Sequence, residues 1–438
     1  MESAILSERL QAAMRLGSSK DIYYYGRDTL HKQSIYTIVD NRFKQALNNL
    51  RQGSSTFIIS VDQGISDVLL AAKLPAAGSF NGFDVSYNGL ALPKGWLYDA
   101  INRVSVRYSG SSQYFWTGGQ VRIENLREMP NPTTRDELLE LGGAMMKAPA
   151  DFTGDNLFAY AYINLPHNSP NGSLAKPNPF PSEMLSQPIV ITVELNALPS
   201  LFSSILNTGS VAQAPPSFEN AYFQVKQVHA NDRGDLMVAT TDRAKAYSFP
   251  TKCFYQNEIT VPLNATTSEQ AIQLTGFRSG EVRSIIFWIT KDSDVNGDPD
   301  ASGHFVKNYT NFVLPRDVQL LYNGTVYYDA EDTASQFWNL VSTETPSKLE
   351  SSVLSVTGTQ SSPTFTDTPA SKSWVEIPFS QVYEQLSGSH MYVAGKSIMN
   401  AVVNLSLSLP EATACTLHAM YSYNCVMMVA DGTVSYVF

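Results

Sequence analysis

The sequence of 438 residues is poor in charge, and what charge it has is mostly negative. Charged residues make up 16% of the chain, against roughly 25% in an average soluble protein. The 30 Lys and Arg residues are outnumbered by 40 Asp and Glu residues. A sequence-specific nucleic-acid binder normally presents a basic stripe, so this class of protein is excluded. Aromatic residues reach 11%, and together with the low charge this excludes a disordered chain.

Cysteine is scarce as well. The three cysteines, Cys253, Cys415 and Cys425, are an odd number and contain no CxxC pair. This pattern predicts neither a disulfide framework nor a zinc site, and it is typical of a protein assembled in a reducing compartment. We expect the three thiols to be small buried side chains.

Long apolar runs are also missing. The best candidate for a membrane span, VLLAAKLPAAG, is interrupted by Lys73 and Pro75 and is shorter than the ~18 residues required. Near the start, Glu2 and Glu8 break the apolar pattern of a secretory leader, so none is expected. Residues 2–16 place apolar side chains at helical spacing before Gly17, which predicts a short amphipathic helix. A second helical stretch is predicted over residues 37–51.

Short runs of alternating apolar and polar residues fill most of the remaining chain. They are bounded by Gly, Pro, Asn and Ser, as β-strands joined by turns are. Many strands with few helices predict an all-β protein of sandwiches or barrels. The candidates are SSTFIISV, SDVLLAAKL, NRVSVRYSG, LFAYAYINLP, QPIVITVELN, NEITVPLN, RSIIFWITK, RDVQLLYNG, SWVEIPF, NAVVNLSLSLP and CTLHAMYSY.

Two of these runs reveal an internal repeat. NRVSVRYSG aligns with RDVQLLYNG at an offset of 214 positions, which places Val104 opposite Val318. The same offset places Ile191 opposite Leu405. A shared offset predicts two β domains with the same strand order, joined near residues 209–220. We therefore divide the chain into an N-terminal arm with the amphipathic helix (1–50), a first β domain (51–215) and a second β domain (216–438).

A long excursion follows the aligned strand in each half. The first contains PTTRDELLELGGAMM, in which Thr134 and Glu137 are spaced as a capping box and Gly142 is a stop signal, so a helix is predicted within the loop. The second contains AEDTASQFWNL, with a helical pattern, and a stretch rich in Ser, Thr and Pro. Such insertions belong at one end of a sandwich, where they can form a surface.

The sequence contains no recognisable catalytic motif and no cofactor-binding motif. One metal-site candidate is the segment DSDVNGDPDASGH, in which Asp292, Asp294 and Asn296 match the first half of a calcium loop. Gly303 stands where such a loop needs a bidentate Glu. A turn between two strands without a metal is the favoured interpretation, and a weak calcium site is the alternative.

Aromatic clusters occur at residues 23–26 (YYYG), 113–116 (QYFW) and 336–338 (QFW). Exposed flat rings could form a sugar-binding platform, whereas subunit interfaces also enrich Tyr, Phe and Trp. QYFW and QFW follow equivalent strands in the two halves. This recurrence favours a place in the core or at an interface.

The order of these segments resembles that in the double jelly-roll major capsid proteins of icosahedral DNA viruses. That lineage includes adenoviruses, tectiviruses, the large algal and amoebal DNA viruses, and virophage and polinton-like relatives. The likeness covers roughly residues 50–438. It is carried by WLYDAINRVSVRYSGSSQYFWTGGQVRIENL, by its counterpart RDVQLLYNGTVYYDAEDTASQFW, and by the closing segment LHAMYSYNCVMMVADGTVSYVF.

The resemblance implies an all-β fold of two tandem eight-stranded antiparallel jelly rolls, with a short N-terminal helical arm and small helices in loops. It implies a structural subunit without enzymatic activity or cofactor. Three chains would form a pseudo-hexameric capsomer that tiles the shell beside other capsomers, penton proteins and minor capsid proteins. The N-terminal arm would lie at the base, near an internal membrane. The expected location is the virion, after assembly in the host cell cytoplasm.

Two other functions fit an all-β chain. One is a surface adhesin or carbohydrate-binding protein, which would carry a leader and two unequal domains. The other is a jelly-roll glycosidase, which would act on a polysaccharide. The common offset of 214 positions favours the capsid interpretation over both.

We predict that deleting residues 1–16 impairs shell assembly and leaves the trimer intact, because their amphipathic pattern suits docking at the base of the shell. Electron microscopy of assembly products and the mass of the purified variant provide the two measurements. Loss of the trimer itself would contradict a role at the base.

Overall fold

The computed structural model of the chain describes residues 22–24, 37–43, 53–59, 64–76, 78–80, 83–85, 89–111, 113–127, 132–165, 180–181, 185–205, 217–229, 246–255, 258–278, 280–297, 304–330, 348–359, 362–379, 396–398 and 400–437. We call residues 1–229 the first half and residues 230–438 the second half.

Strands dominate both halves. Those of the first half are β1 Ile22–Tyr24, β2 Thr37–Phe43, β3 Gly53–Ile59, β4 Gly64–Lys73, β5 Gly78–Phe80, β6 Phe83–Val85, β7 Leu90–Ala91, β8 Ile101–Arg107, β9 Tyr114–Trp116, β10 Phe158–Ile163, β11 Phe180–Pro181, β12 Ile189–Leu195, β13 Ser203–Ile205 and β14 Asn220–His229. Those of the second half are β15 Ala246–Tyr255, β16 Ile259–Pro262, β17 Glu269–Leu274, β18 Glu281–Lys291, β19 His304–Phe305, β20 Asp317–Tyr322, β21 Thr325–Ala330, β22 Lys348–Thr359, β23 Ser362–Ser373, β24 Val375–Pro378, β25 Lys396–Ser397, β26 Val403–Ser408, β27 Cys415–Ala430 and β28 Thr433–Val437.

Helices are few and short. They are α1 Trp96–Ala100, α2 Gly118–Arg127, α3 Pro132–Leu141 and α4 Asp292–Asn296, with single 3₁₀ turns at Pro149–Asp151, Gly154–Leu157 and Leu198–Leu201. None of the helices in the described ranges is long and apolar enough to cross a membrane.

The two halves have the same strand order. In the first half one sheet runs β10-β4-β14-β2 and the other runs β3-β12-β8-β9. In the second half the corresponding orders are β24-β18-β27-β15 and β17-β26-β20-β21. Each half therefore contributes eight described strands to a pair of antiparallel sheets, and this arrangement is a jelly roll. The buried faces of all four sheets belong to one continuous apolar cluster.

The internal repeat extends to the register of individual residue pairs. Val104 of β8 lies opposite Val193 of β12, and Val318 of β20 lies opposite Leu407 of β26. Both members of the second pair are displaced by the same 214 positions from those of the first. The alternating burial along β12 shows the cause: every second side chain faces the core, so a register slip of one residue would expose the whole apolar set.

All eleven predicted strands are confirmed, whereas two other local expectations, the helix at residues 37–43 and the capping box at Thr134, are wrong. Residues 37–43 form strand β2 and pair with β14, so they are not helical. The stretch rich in Ser, Thr and Pro, for which the sequence predicts no element, belongs to the hairpin of β22 and β23. This two-stranded ribbon tolerates Pro363 and Pro369 in β23 because one edge of each strand needs no donor. Helix α3 begins at Pro132, so Thr134 lies in its first turn and is not the N-cap.

The predicted helix within the first excursion is confirmed as α3, which ends directly before Gly142. The N-terminal amphipathic helix, predicted over residues 2–16, and the helical pattern AEDTASQFWNL lie outside the described residues, the latter apart from its first residue.

The domain boundaries remain a prediction, and strand pairing argues for changing them. Strand β2 lies within the predicted arm (1–50), and β14 lies within the predicted second domain (216–438), yet both belong to the first half's sheet. We propose that the first jelly roll extends from about residue 37 to residue 229. The linker would then fall within residues 230–245.

Candidate functional site: the interface between the two halves

Helix α2 lies between the two halves and is buried on almost every side. Nine of its ten residues are buried, including polar and charged ones. Its sequence, GGQVRIENLR, carries no apolar stripe at helical spacing, so sequence patterns did not predict it. Because a buried polar group is costly without a partner, each of these side chains needs a bonding partner from its surroundings.

The N-terminal end of α2 bonds to Glu258 of the second half. The Thr117 hydroxyl accepts a hydrogen bond from the backbone N–H of Gln120 at 3.1 Å, which makes it the helix cap. The same hydroxyl donates to the Glu258 carboxylate. The Gln120 side-chain oxygen accepts from the backbone N–H of Glu258 at 3.1 Å. A carboxylate at this end is also favoured by the helix dipole.

Glu258 is further bonded within the second half. One of its carboxylate oxygens lies 2.5 Å from Nδ1 of His418. The other ring nitrogen of His418 lies 3.0 Å from the hydroxyl of Thr290, and the imidazole stacks on Trp288 with ring centroids 5.4 Å apart. The cap of α2 is therefore held by a connected set of side chains from β18 and β27.

The C-terminal end of α2 is fixed by an ion pair. Arg127 donates from Nε and from a terminal nitrogen to the two carboxylate oxygens of Glu376 on β24, at 3.0 and 2.9 Å. Both side chains are buried. Burial opposes ionisation of Glu376, but the charge and hydrogen bonds of Arg127 outweigh it and hold the pKa of this carboxyl below its usual range. The two-pronged geometry makes the pair directional.

The middle of α2 bonds to both halves. Arg122 forms an ion pair with Asp99 of α1 and donates to the backbone carbonyl of Tyr309 in the second half at 3.3 Å. Burial lowers the pKa of Arg122 to about 10 and raises the pKa of Tyr98 to about 12. Asn125 donates to the Tyr162 carbonyl at 2.9 Å.

Apolar side chains fill the space around these polar contacts. Helices α2 and α3 press onto the face of β18, β24 and β27 that points away from the core of the second half. The resulting cluster consists of Ile123, Leu126, Leu138, Leu139, Ile286, Trp288, Phe312, Trp374 and Met420. The interface thus combines an apolar patch with ion pairs and hydrogen bonds at both ends of α2.

Glycines allow α1 to approach its neighbours closely. A Cβ at Gly118 would lie 1.8 Å from the backbone carbonyl oxygen of Tyr98. A Cβ at Gly142 would lie 2.4 Å from the Tyr98 ring, and one at Gly143 would lie 2.4 Å from the Trp96 indole nitrogen. Any other residue at these three positions would place its Cβ too close to a neighbouring atom, so glycine is required there whatever the backbone conformation.

A second contact between the halves involves the turn between β27 and β28. The backbone N–H of Val434 donates to the carbonyl of Ser109 at 2.8 Å, and that of Ser186 donates to the carbonyl of Gly432 at 2.8 Å. Tyr436 packs edge-on against Tyr114, with ring centroids 4.9 Å apart. The last strand of the second jelly roll therefore packs on the first.

The calcium-loop candidates are not assembled into a metal site within the described part of the chain. Asp292, Asp294 and Asn296 form the one-turn helix α4, which ends at Gly297 in a left-handed conformation with φ 70°. The carboxylate of Asp292 accepts from Thr416 at 2.8 Å, and that of Asp294 accepts from the Asn311 side chain at 2.8 Å. Among the described residues no three His, Cys, Asp or Glu side chains gather to hold a metal. The weak calcium site stays a prediction.

Two other groups of predicted residues are placed in the core. Tyr114 and Trp116 of the QYFW cluster are buried in the main apolar cluster, which confirms a core role for these two rings. Cys415 is a buried free thiol, and burial raises its pKa to about 11. The QFW cluster and the side chains of YYYG, Cys253 and Cys425 lie outside what the structure describes.

Comparison with solved structures identifies this architecture. PBCV-1 VP54, in a structure fitted into a cryo-EM reconstruction of the virophage Sputnik, matches with a TM-score of 0.59 and 11% identity over 92% of this chain and 97% of that chain. A quasi-atomic model of the PBCV-1 virus capsid matches with a TM-score of 0.58 and 11% identity over 92% and 97%. The Faustovirus major capsid protein matches with a TM-score of 0.54 and 9% identity over 98% of each chain. This chain has the double jelly-roll fold.

The match covers nearly the whole length of each chain, so it includes both jelly rolls and their arrangement. No protein-family model and no curated protein sequence matches the chain. The double jelly-roll fold that the resemblance implies is confirmed.

We predict that Gly118→Ala lowers the free energy of unfolding by about 2 kcal/mol or more, because the added methyl group meets a backbone oxygen that cannot move independently. Gly119→Ala is the matched control. Its Cβ would meet nothing closer than the Trp288 ring at 3.4 Å, so its stability should be unchanged or raised by up to about 1 kcal/mol. Urea unfolding measures both. Equal effects of the two substitutions would contradict the close approach.

We predict that the Arg127–Glu376 pair makes the chain sensitive to acid. The pKa of Glu376 is lowered in the folded state, so its contribution to stability is present above the unfolded value, near 4.3, and is lost as the pH falls through the folded pKa. Glu376→Gln should cost about 3–5 kcal/mol at pH 7, since it leaves Arg127 buried without its counter-charge. The same substitution should also remove the contribution of Glu376 to the pH dependence of the free energy of unfolding.

Glu411→Gln provides the control for this experiment. Lys291 lowers the pKa of Glu411 too, but this carboxylate is fully exposed. Urea unfolding between pH 3 and 7 should therefore show nearly the wild-type profile for Glu411→Gln. A wild-type pH profile for Glu376→Gln would contradict the role assigned to the ion pair.

Proposed function

We propose that this protein is the major capsid protein of an icosahedral DNA virus. The observation that carries the proposal is the pairing of two jelly rolls with the same strand order, in a fold similar over nearly its whole length to capsid proteins. A shell subunit must keep its shape while its flanks bind neighbours. The buried helix between the halves is bonded to both of them and suits that requirement.

The proposed assembly unit is a homotrimer with a pseudo-hexameric outline. Each chain supplies two similar jelly rolls, so three chains present six similar edges to neighbouring capsomers. A contact between unlike surfaces must close into a ring, because otherwise it propagates into a filament. Penton and minor capsid proteins are proposed as further partners. We also propose contact of the N-terminal arm with an internal membrane, location in the virion, and assembly in the host cell cytoplasm.

The proposed role is structural and not enzymatic. The polar side chains concentrated at the interface are bonded to one another and mostly buried, as the Arg127–Glu376 pair and the Thr117–Glu258 contact illustrate. Such side chains position the two halves and are poorly placed to meet a substrate. No cofactor is proposed.

We predict that the purified chain is a stable trimer of about 145 kDa, three times its 48.2 kDa mass. Light scattering coupled to gel filtration measures the mass, and negative-stain microscopy shows whether the particle has a hexagonal outline. A monomer that binds glycans would contradict the capsid proposal and support the adhesin alternative.

A further inference from the structure

Each half has one sheet of which no described residue belongs to the apolar cluster around α2. These equivalent sheets are β3-β12-β8-β9 in the first half and β17-β26-β20-β21 in the second. Along β12 and β26 every second side chain is buried in the core. The side chains between them point the other way and belong to the outer face of each sheet.

The outer face of the first half combines arginines with apolar side chains. Ile58, Val190 and Arg107 lie side by side across β3, β12 and β8. Ile58 is 60% exposed, and Arg107 is exposed as well. On the same side of β8, the guanidinium of Arg103 lies 4.3 Å from the centre of the Phe115 ring. We call this surface the basic face, and it consists of Ile58, Arg103, Arg107, Phe115, Val190 and Glu194.

The outer face of the second half combines carboxylates with apolar side chains. Glu269, Asp317 and Asp329 are exposed on β17, β20 and β21. The four strands of this sheet contain no Lys or Arg. Leu321 lies opposite Val326, and Val402 directly precedes β26. We call this surface the acidic face, and it consists of Glu269, Asp317, Leu321, Val326, Asp329 and Val402.

The repeat shows that the charge is reversed at an equivalent position of the two faces. The offset of 214 positions places Arg103 opposite Asp317. Strand pairing agrees, because Arg103 pairs with Glu194 and Asp317 pairs with Ser408, which are again 214 positions apart. The inner side chains of both sheets belong to the same apolar cluster. The reversal therefore concerns only what the two outer faces meet.

Exposed apolar side chains are concentrated on the same two faces. Within the described ranges, the large apolar side chains that are at least 40% exposed are Ile58, Leu141, Val326 and Val402. Three of these four lie on the basic or the acidic face. A single exposed apolar side chain is ordinary, but a concentration on two equivalent faces indicates that each face has an apolar part to bury.

The charges indicate which surface fits each face. Two basic faces in contact would place arginines against arginines, and two acidic faces would place carboxylates against carboxylates. A basic face in contact with an acidic face brings opposite charges together. Every copy of the chain carries both faces, so a second copy supplies the complementary surface. Such a contact joins unlike surfaces and can be repeated from one copy to the next.

The composition of both faces suits a contact that forms and dissociates. At the centre of the basic face's sheet, the hydroxyls of Thr56 and Thr192 are 3.2 Å apart. On the acidic face, Gln319 donates to Asp329 at 3.2 Å. Permanent interfaces resemble a protein core cut in half, whereas reversible interfaces are more polar. These polar faces are therefore suited to joining units that are already assembled.

We propose that the basic face of one copy binds the acidic face of a copy in a neighbouring trimer. The inference rests on the proposed function and names the surfaces through which capsomers bind each other. Ile58 and Val190 would pack against apolar residues such as Val326 and exclude water from the contact. The arginines and carboxylates would fix which faces meet and in which orientation.

The first test reverses charges on the two faces. Arg107→Glu should weaken the association between trimers by roughly 10-fold or more, because it places a carboxylate against carboxylates. Asp317→Arg should also weaken it, and the double variant should recover part of the loss. Asp155→Arg is the matched control, since Asp155 is exposed and lies on neither face. Sedimentation of purified trimers over a concentration series measures the association.

Several results of this first test would overturn the proposal. They are wild-type association of Arg107→Glu trimers, a double variant that recovers nothing, and wild-type trimers that do not associate at all. Dissociation of Arg107→Glu into monomers would also overturn it, because the basic face would then lie within the trimer. Association of wild-type trimers should weaken as salt is added, since salt screens exposed opposite charges.

A milder set of variants covers the case in which a charge reversal prevents folding. Ile58→Ala and Val326→Ala should each weaken the association between trimers by roughly fivefold or more, because each removes apolar surface that the contact buries. Leu141→Ala is the matched control, since Leu141 is 40% exposed at the end of α3 and lies on neither face. Equal association constants for all three variants would contradict the proposal.

Crosslinking identifies the occupant of the basic face directly. Preformed ¹⁴N trimers carrying a photoreactive phenylalanine analogue at position 58 are mixed with ¹⁵N wild-type trimers. Adducts of mixed isotope should contain peptides from residues 269–274, 317–330 or 402–408. Adducts only with residues 53–59 or 101–116 of the other copy, or with a lipid or glycan, would overturn the proposal. A wild-type chain that is a monomer would instead refute the proposed function, so the two failures are distinguishable.

Discussion

The relative position of the two jelly rolls depends on the buried ion pair between Arg127 and Glu376. A buried guanidinium that loses its carboxylate partner is left charged where water cannot solvate it, so the pair has to form. Because the two partners come from different jelly rolls, the pair forms only when the rolls have one relative position. The same holds for Glu258, which must meet both the cap of α2 and His418. Helix α2 therefore fixes the distance and the rotation between the two jelly rolls.

This constraint explains why a helix without an apolar stripe is buried between the two halves. An apolar helix would pack in many rotations, since dispersion forces have little direction, whereas a forked ion pair accepts one. The surrounding apolar residues, such as Ile123 and Trp288, exclude water and strengthen the polar contacts. Gly118 and Gly142 complete the arrangement by letting the backbones approach.

The parts of the fold that could be predicted from sequence are those determined by local pattern. Apolar and polar residues alternate along β12 and β26, which predicts strands with one face in the core. The repeat offset then predicts that equivalent strands of the two halves pair in the same register. The interface could not be predicted, because Arg127 and Glu376 are 249 positions apart and nothing near either residue indicates its partner. The pairing of β2 with β14 could not be predicted for a similar reason, since it spans almost the whole first half.

The positions of the aromatic residues also could not be predicted from sequence. Composition shows that the chain has many aromatic rings, but not which of them lie in the core. Tyr114 and Trp116 lie in the core, while Phe158 and Tyr160 lie on an outer face. Only the three-dimensional structure distinguishes these positions, because the alternation of side chains along a strand is the same whichever face lines the core.

The turn between β27 and β28 has a consequence for the order of events during synthesis. Gly432 and Val434 supply backbone bonds to Ser186 and Ser109, which leave the ribosome more than two hundred residues earlier. These bonds can therefore form only after the end of the second jelly roll has been synthesised. A chain that stops short of this turn lacks both of them.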